Sequence, residues 1–272
     1  MARHWDETNA QKDGTIVRRT AFRPWEEMVI QGPLFHLANP YYKTPRHVCN
    51  TNRAYDVLDL EKISSTYIPR TNYGPATSIA DYRSRSTKCR WDVTKGHGDF
   101  YRLAFRRMIA LSGERSLISV IIPPKVLHVN GVESIAFKNL DTLLNMACVE
   151  MSLIMDFWIK SSGISNLFSS DVERFPYSKV PFSAMLRLLK LTCITEHYSA
   201  LWSNYITKGS QIFWSQDHES LHIEGNCEVK VQWDKSSSLR QEFPRRMALL
   251  EIDVLVAKSF RISLSELIEL YR

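Results

Sequence analysis

The pattern of apolar and polar positions changes character along the chain. TIVRRTAF, between Gly14 and Pro24, predicts an opening β-strand. Prolines 24, 33, 40, 45, 69 and 75 punctuate residues 24–80 and predict long ordered loops carrying short strands, one of them over 54–60. Residues 81–97 (DYRSRSTKCRWDVTKGH) are polar and basic with no helical period. A helix is predicted from Gly98 or Asp99, because Asp99 is a suitable N-cap and Phe100, Leu103, Met108 and Leu111 share a face. After Ser112-Gly113, SLISVIIPP reads as a buried strand ended by two prolines, and 132–137 as a weaker strand.

From Leu140 the period becomes helical. LDTLLNMACVEMSLIMDFWIKSSG reads as helix with a break near Cys148, and SAMLRLLKLTCITEHYSALWSNYI continues the pattern from Ser183. Small strands in IFWSQ and CEVKVQW follow Gly209. The chain closes on a helix with Pro244 in its first turn and on a short helix capped by Ser263, with Glu266 three residues on. The expected fold class is α+β: a β-rich lobe with long loops over 1–138, followed by a helical lobe over 139–272. Leu143, Leu144, Met151, Ile154, Trp158, Leu186, Leu189 and Leu201 are its expected packing residues against the first lobe.

Composition narrows the class. With 272 residues, 44% hydrophobic and 24% charged, the chain holds enough apolar material for a sizeable core, which excludes a disordered tail or a collagen-like fibre. No apolar run approaches the roughly 18 residues that span a bilayer, and the start lacks a signal-peptide core, so the expectation is a soluble, cytoplasmic protein with no membrane partner. The five cysteines are far apart with no CxxC pair and are expected as reduced thiols. The net charge of +6 is uneven: residues 1–125 carry 20 basic and 12 acidic groups, residues 126–272 carry 15 and 17. An anionic partner is expected to meet the first half.

Residues 81–110 concentrate that charge, with Arg83, Arg85, Lys88, Arg90, Lys95, Arg102, Arg106 and Arg107 interleaved with Tyr82, Trp91, Phe100 and Tyr101. Guanidinium groups neutralise phosphates while planar rings pack on sugars or bases, the mixture a nucleic-acid groove requires; a salt-bridged solvent face has the same composition. Other constellations are weaker. Asp217 with Glu228-Val229-Lys230 has the acid and ExK spacing of a magnesium-dependent nuclease site, a pattern that an exposed hairpin of alternating charge also satisfies. His218 with His222, and Cys193 with His197, lack a third metal ligand nearby. Asn39-Pro40-Tyr41-Tyr42 resembles the Asn-Pro-Pro-Tyr loop of amino-group DNA methyltransferases, but its second proline is absent and no glycine-rich cofactor turn follows a buried strand.

VIQGPLFHLANPYYKTPR, YIPRTNY, DFYRLAFRRMI followed by ERSLISVIIPP, and the closing ALLEIDVLVAKSF and ISLSELIELYR occur in that order. Together they resemble the carboxy-terminal target-recognition region of class I N6-adenine DNA methyltransferases, including type IIG restriction-modification methylases and methylases of phage-defence systems. The resemblance runs from about Trp5 to Arg272. It implies a fragment whose parent carries the cofactor loop and a true Asn-Pro-Pro-Tyr motif before residue 1. The implied function is a DNA-binding recognition module that positions duplex DNA for an amino-terminal methyltransferase domain of the same parent. No cofactor is expected in this chain, S-adenosylmethionine belonging to that missing domain, and no catalytic or metal-binding residue is assigned. The expected DNA contacts are Lys43, Arg46, Arg70, Arg83, Arg85, Lys88 and Arg90 on phosphates, with Asn72, Tyr73 and Trp91 on bases or sugars. The alternatives are a docking lobe for the catalytic domain or a defence partner, and the nuclease set named above.

Overall fold

The computed structural model describes residues 5–51, 53–207, 210–214 and 226–272. The fold is mixed α+β and divides into two compact units. The first comprises 1–58, 68–143 and 163–175, the second 59–67, 144–162 and 176–272. The two interleave in sequence, where the chain's pattern suggested one division after residue 138.

The first unit opens with α1 (Glu7–Lys12), which Asp6 caps by accepting the Asn9 amide. Its strands are β1 (Ile16–Ala21), β2 (Val29–Ile30), β3 (Lys43–Pro45), β4 (Tyr55–Val57) and β5 (Thr71–Pro75). A short helix, α2 (Ile79–Ser84), breaks the expectation of a featureless basic stretch and leads to the hairpin β6 (Lys88–Cys89) and β7 (Asp92–Gly96). Ser78 starts that helix by accepting the Asp81 amide at 3.2 Å. β8 (Arg102–Arg106), β9 (Ser119–Ile122), β10 (Leu127–His128) and β11 (Val132–Ala136) follow. β1 pairs antiparallel with β5, β3 with β4, and β2 runs parallel to β10.

The helix expected from Asp99 is instead β8, the central strand of an antiparallel sheet ordered β11-β8-β9. Tyr101 to Phe105 are buried at every successive position, which a one-faced helix cannot achieve. The Asp99 carboxylate accepts the Gly96 amide at 2.8 Å and closes a 3-10 turn over His97–Asp99, so it caps no α-helix. Met108 and Leu111, assigned to an apolar face, are exposed.

Arg102 is completely buried. Its guanidinium donates to the Val126 carbonyl and, at 3.3 Å, to Ser134 Oγ. Ser134 Oγ lies 2.8 Å from His128 Nε2, and His128 Nδ1 lies 3.0 Å from the Val129 carbonyl. A carbonyl only accepts, so Nδ1 carries the proton and Nε2 accepts from the serine; the imidazole is neutral. Burial pushes His128 down to about 3 and Arg102 down to about 10, so the arginine keeps its charge at neutral pH.

α3 (Leu140–Glu150) contains the boundary between the units. The second unit continues with α4 (Leu153–Ser162), while α5 (Ser169–Val172) belongs to the first. The break expected near Cys148 falls at Met151-Ser152, where Asp253 Oδ1 accepts the Leu153 amide at 2.7 Å and caps the new helix. The helix expected from Ser183 to Ile206 is two, α6 (Phe182–Thr192) and α7 (Ser199–Tyr205). The carbonyls freed between them are taken by other side chains: Trp233 Nε1 donates to Cys193 O at 2.7 Å and Arg240 Nη2 to Ile194 O. The ladder of β12 (Gln211–Phe213) and β13 (Asn226–Glu228) follows, then α8 (Glu242–Ser259) and α9 (Leu264–Tyr271). Ser263 and Glu266 form the capping box expected of α9. Of the expected packing residues, Leu143, Leu144, Met151, Leu186, Leu189 and Leu201 are buried, and Ile154 and Trp158 partly so. No single helix among the described residues is long and apolar enough to cross a membrane.

Buried titratable groups in each unit make stability depend on pH. Burial holds His36 and His97 at about 4, like His128 below the ordinary 6.5. The unfolded chain binds more protons than the folded one between those values, so stability falls as pH drops from about 6.5 toward 4. Glu150, in the second unit, is 1% exposed with neither carboxylate oxygen partnered among the described residues, and burial raises its pKa well above 4.5. There the folded state holds the extra proton, so its contribution is lost as pH rises above 4.5. Glu150→Met is expected to raise the unfolding free energy by on the order of 1 kcal/mol or more near pH 8, and by less near pH 5; urea titrations at both values measure it.

Candidate nucleic-acid interface

The functional surface of the first unit starts from an irregularity in one ladder. Arg18 pairs with Tyr73 and Ala21 with Thr71, so Arg19 and Thr20 together face the single residue Asn72. This bulge breaks the alternation of side chains, and Arg18 and Arg19 both line one groove of about 790 Å³. The loop between β3 and β4 supplies His47, Val48 and Asn50, and Arg70 comes from the residue before β5.

Two of the three guanidinium groups are held by backbone acceptors. Arg18 Nη2 donates to Cys49 O at 3.3 Å. Arg70 Nε donates to Pro45 O at 2.7 Å, and its guanidinium carbon sits 5.0 Å from the Phe22 ring centroid. Phe22 is 65% exposed, an apolar plane beside a positive one at the rim. No carboxylate is among the described residues lining the groove. The nearby acid is Asp56, whose Oδ1 takes Arg46 Nε at 2.8 Å and whose Oδ2 lies 3.9 Å from Arg70 Nη2.

Beneath the groove lies a polar floor. Asn72 is buried, with Oδ1 accepting from Thr20 Oγ1 at 2.8 Å and Nδ2 donating to Tyr55 Oη at 2.9 Å and to Cys49 Sγ at 3.4 Å. Burial and the Cys49 thiol push the Tyr55 phenol well above its usual range, so it remains a neutral hydroxyl. These bonds tie β1, β4, β5 and the Cys49 loop together and set the spacing of the arginines above them.

No family model, curated protein or solved structure matches this chain. The groove is therefore read from its own chemistry: three guanidinium groups, an imidazole, an amide and an exposed ring, an arrangement that fits a polyanion with apolar faces.

The residues singled out from the sequence separate. Arg70 lines the groove; Arg46 is exposed and paired with Asp56; Lys43 Nζ rests 4.9 Å from the Tyr42 ring centroid. Asn72 and Tyr73, expected to touch bases or sugars, are corrected to interior positions: the bulge turns Asn72 into the floor, and Tyr73 packs with Ile16, Val29 and Tyr82. Arg85 is a clamp, donating to Thr15 Oγ1 and to Asp81 Oδ2, each at 2.8 Å. Arg83 and Lys88 line a separate cavity. Arg90 and Trp91 are exposed beside the β6–β7 hairpin, where Trp91 meets Phe100 edge-on at 5.8 Å. Of the basic segment's remainder, Arg106 donates to Gly32 O at 2.8 Å and to Phe35 O, and Arg107 lies over the Phe168 ring at 4.7 Å. Arg18, Arg19, Phe22, His47 and Asn50 were not singled out. Their available signal was the adjacent pair Arg18-Arg19 within a strand, where strict alternation would bury one of two charges.

The other constellations give no assembled site. Asn39 Oδ1 accepts the Tyr41 amide at 3.0 Å, and Tyr41 is buried, so this loop spends its amide on itself. Lys230 Nζ is engaged by Asp234 and, at 3.2 Å, by Ser236 Oγ. Asp217, His218, His222 and the Glu228 side chain lie outside the described residues. Among the described residues no group of three His, Cys, Asp or Glu side chains is placed to hold a metal. Cys49, Cys89, Cys148 and Cys193 are buried free thiols.

Asn72→Ala is expected to destabilise the chain by about 1–3 kcal/mol, because it removes two donors and an acceptor from a closed network. Chemical denaturation measures the loss; a change under about 0.5 kcal/mol would contradict a structural role for this side chain.

Proposed function

We propose that the first unit binds double-stranded DNA along this groove, and that the chain is the target-recognition part of an N6-adenine DNA methyltransferase. Arg18, Arg19 and Arg70 neutralise phosphates, His47 and Asn50 offer polar contacts at the loop side, and Phe22 packs on an apolar sugar face. Flipping and methylation of the adenine, with S-adenosylmethionine, belong to a separate domain of the parent protein. The observation that carries the DNA-binding reading is the convergence of three arginines in one groove with no carboxylate among its described lining residues. The methyltransferase part of the reading rests on the resemblance of the ordered motifs.

Three phosphate contacts give a salt slope of about −2.7 in log K against log salt, so affinity for a duplex falls about 40-fold between about 50 and about 200 mM salt. Arg18→Ala with Arg19→Ala is expected to reduce the slope by roughly 2 and to weaken binding at low salt by about ten-fold or more. Fluorescence anisotropy with a labelled duplex reads both quantities. Binding with no salt dependence, or the same slope in the double variant, would contradict the proposal.

A further inference from the structure

The cavity that takes Arg83 and Lys88 has a different chemistry from the groove. It holds about 240 Å³ and is lined by Arg83, Ser84, Ser86, Lys88, Asp99 and Lys125, together with bare backbone at Gly96 and Gly98. α2 ends at this cavity and delivers Arg83; the β6–β7 hairpin delivers Lys88 opposite Gly96 in register; the turn after Pro124 delivers Lys125. The walls are close-set. A Cβ at Gly96 would come within 2.6 Å of Ser86 Oγ, and one at Gly98 within 2.7 Å of Leu127 Cδ2.

Its charge is unbalanced. Against three cations stand two carboxylates, Glu26 and Asp99, and one Asp99 oxygen already accepts the Gly96 amide at 2.8 Å. Lys125 Nζ also meets Glu26 at 2.8 Å, across a backbone held at φ 75° by the bond from its amide to Gly98 O. Arg83 is the unusual member: Nε and Nη2 are both buried, and neither has a hydrogen-bond partner among the described residues. Buried guanidinium donors without acceptors are costly, and an anion in the cavity offers them acceptors on a turn of the Arg83 side chain toward it. The volume equals about eight waters at ~30 Å³ each, enough for a phosphate and part of the group it esterifies, and below the size of a whole cofactor pocket.

We infer that this cavity binds a phosphate monoester, with Arg83 as the principal ligand of the phosphate oxygens and Lys88 and Lys125 completing its neutralisation. Arginine presents two parallel donors to such an oxyanion, the geometry in which charge-assisted hydrogen bonds are strongest. The phosphate can come from a free nucleotide or from the 5′ end of a nucleic acid, since both offer the same dianion.

The test is calorimetric titration of the full chain with adenosine 5′-monophosphate and with adenosine, and a parallel binding comparison of one duplex carrying either 5′-phosphate or 5′-hydroxyl ends. Adenosine 5′-monophosphate is expected to bind and adenosine not, with affinity reduced roughly ten-fold or more in both Arg83→Met and Lys88→Gln. Lys88 is exposed, so its variant keeps the fold and separates loss of a ligand from loss of structure. A preference for the phosphorylated duplex that both variants abolish identifies the nucleic-acid end as the source; nucleotide binding without that preference identifies a free ester. Arg18→Ala with Arg19→Ala is expected to leave nucleotide binding unchanged, so failure of the groove proposal and of this one are told apart. The inference is overturned if neither the nucleotide nor the phosphorylated end shows phosphate-dependent binding up to about 10 mM ligand, or if Arg83→Met and Lys88→Gln both bind as tightly as the unsubstituted chain.

Discussion

A buried guanidinium cannot shed its proton near neutral pH, so the chain around it must bring acceptors to it. That requirement organises both units. Arg102 draws the Val126 carbonyl and Ser134 onto the central strand, and Arg106 gathers the carbonyls of Gly32 and Phe35. In the second unit, Arg245 donates to Leu191 O at 2.9 Å and to Leu239 O at 2.8 Å, with burial lowering it to about 9, while Arg240 takes the carbonyls of Leu60 and Ile194. These loops carry many prolines or interrupted helices and few ladder partners. Arginine side chains replace the missing backbone bonds, and the irregular segments become ordered as a result.

This use of arginine decides what the net positive charge can do. Arg85, Arg102, Arg106, Arg240 and Arg245 are committed to internal acceptors. The cations that face cavities are a different set: Arg18, Arg19 and Arg70 in one groove, and Arg83, Lys88 and Lys125 in another space. The groove set rests on rigid parts, because the bulge opposite Asn72 fixes two adjacent side chains toward one face while the Cys49 and Pro45 carbonyls restrain Arg18 and Arg70. Pre-ordered cations lose little conformational freedom when a phosphate arrives, which favours binding over a mobile basic tail of the same charge.

Much of the fold was legible from pattern alone. The apolar run ending in Pro123-Pro124 contains β9, TIVRRTAF between Gly14 and Pro24 contains β1, and the Ser263 to Glu266 spacing gives the cap of α9. β8 was misread because Arg102 and Arg106 sit inside it: charged residues in a strand buried on both faces imitate the polar positions of an amphipathic helix. Nothing local announces that Arg102 will find Val126 and Ser134. The site was harder still. The dense basic segment drew attention to charges that the fold largely consumes, whereas the groove depends on a one-residue register shift between strands more than fifty residues apart, which no spacing within either strand encodes.

The division between committed and available arginines is open to direct observation by nuclear magnetic resonance of the side-chain Nε–Hε groups during titration with a short duplex. The account predicts saturable shifts for Arg18, Arg19 and Arg70, with Arg102, Arg106 and Arg245 unmoved. Undisturbed groove resonances at saturating duplex, or shifts confined to arginines elsewhere, would contradict it.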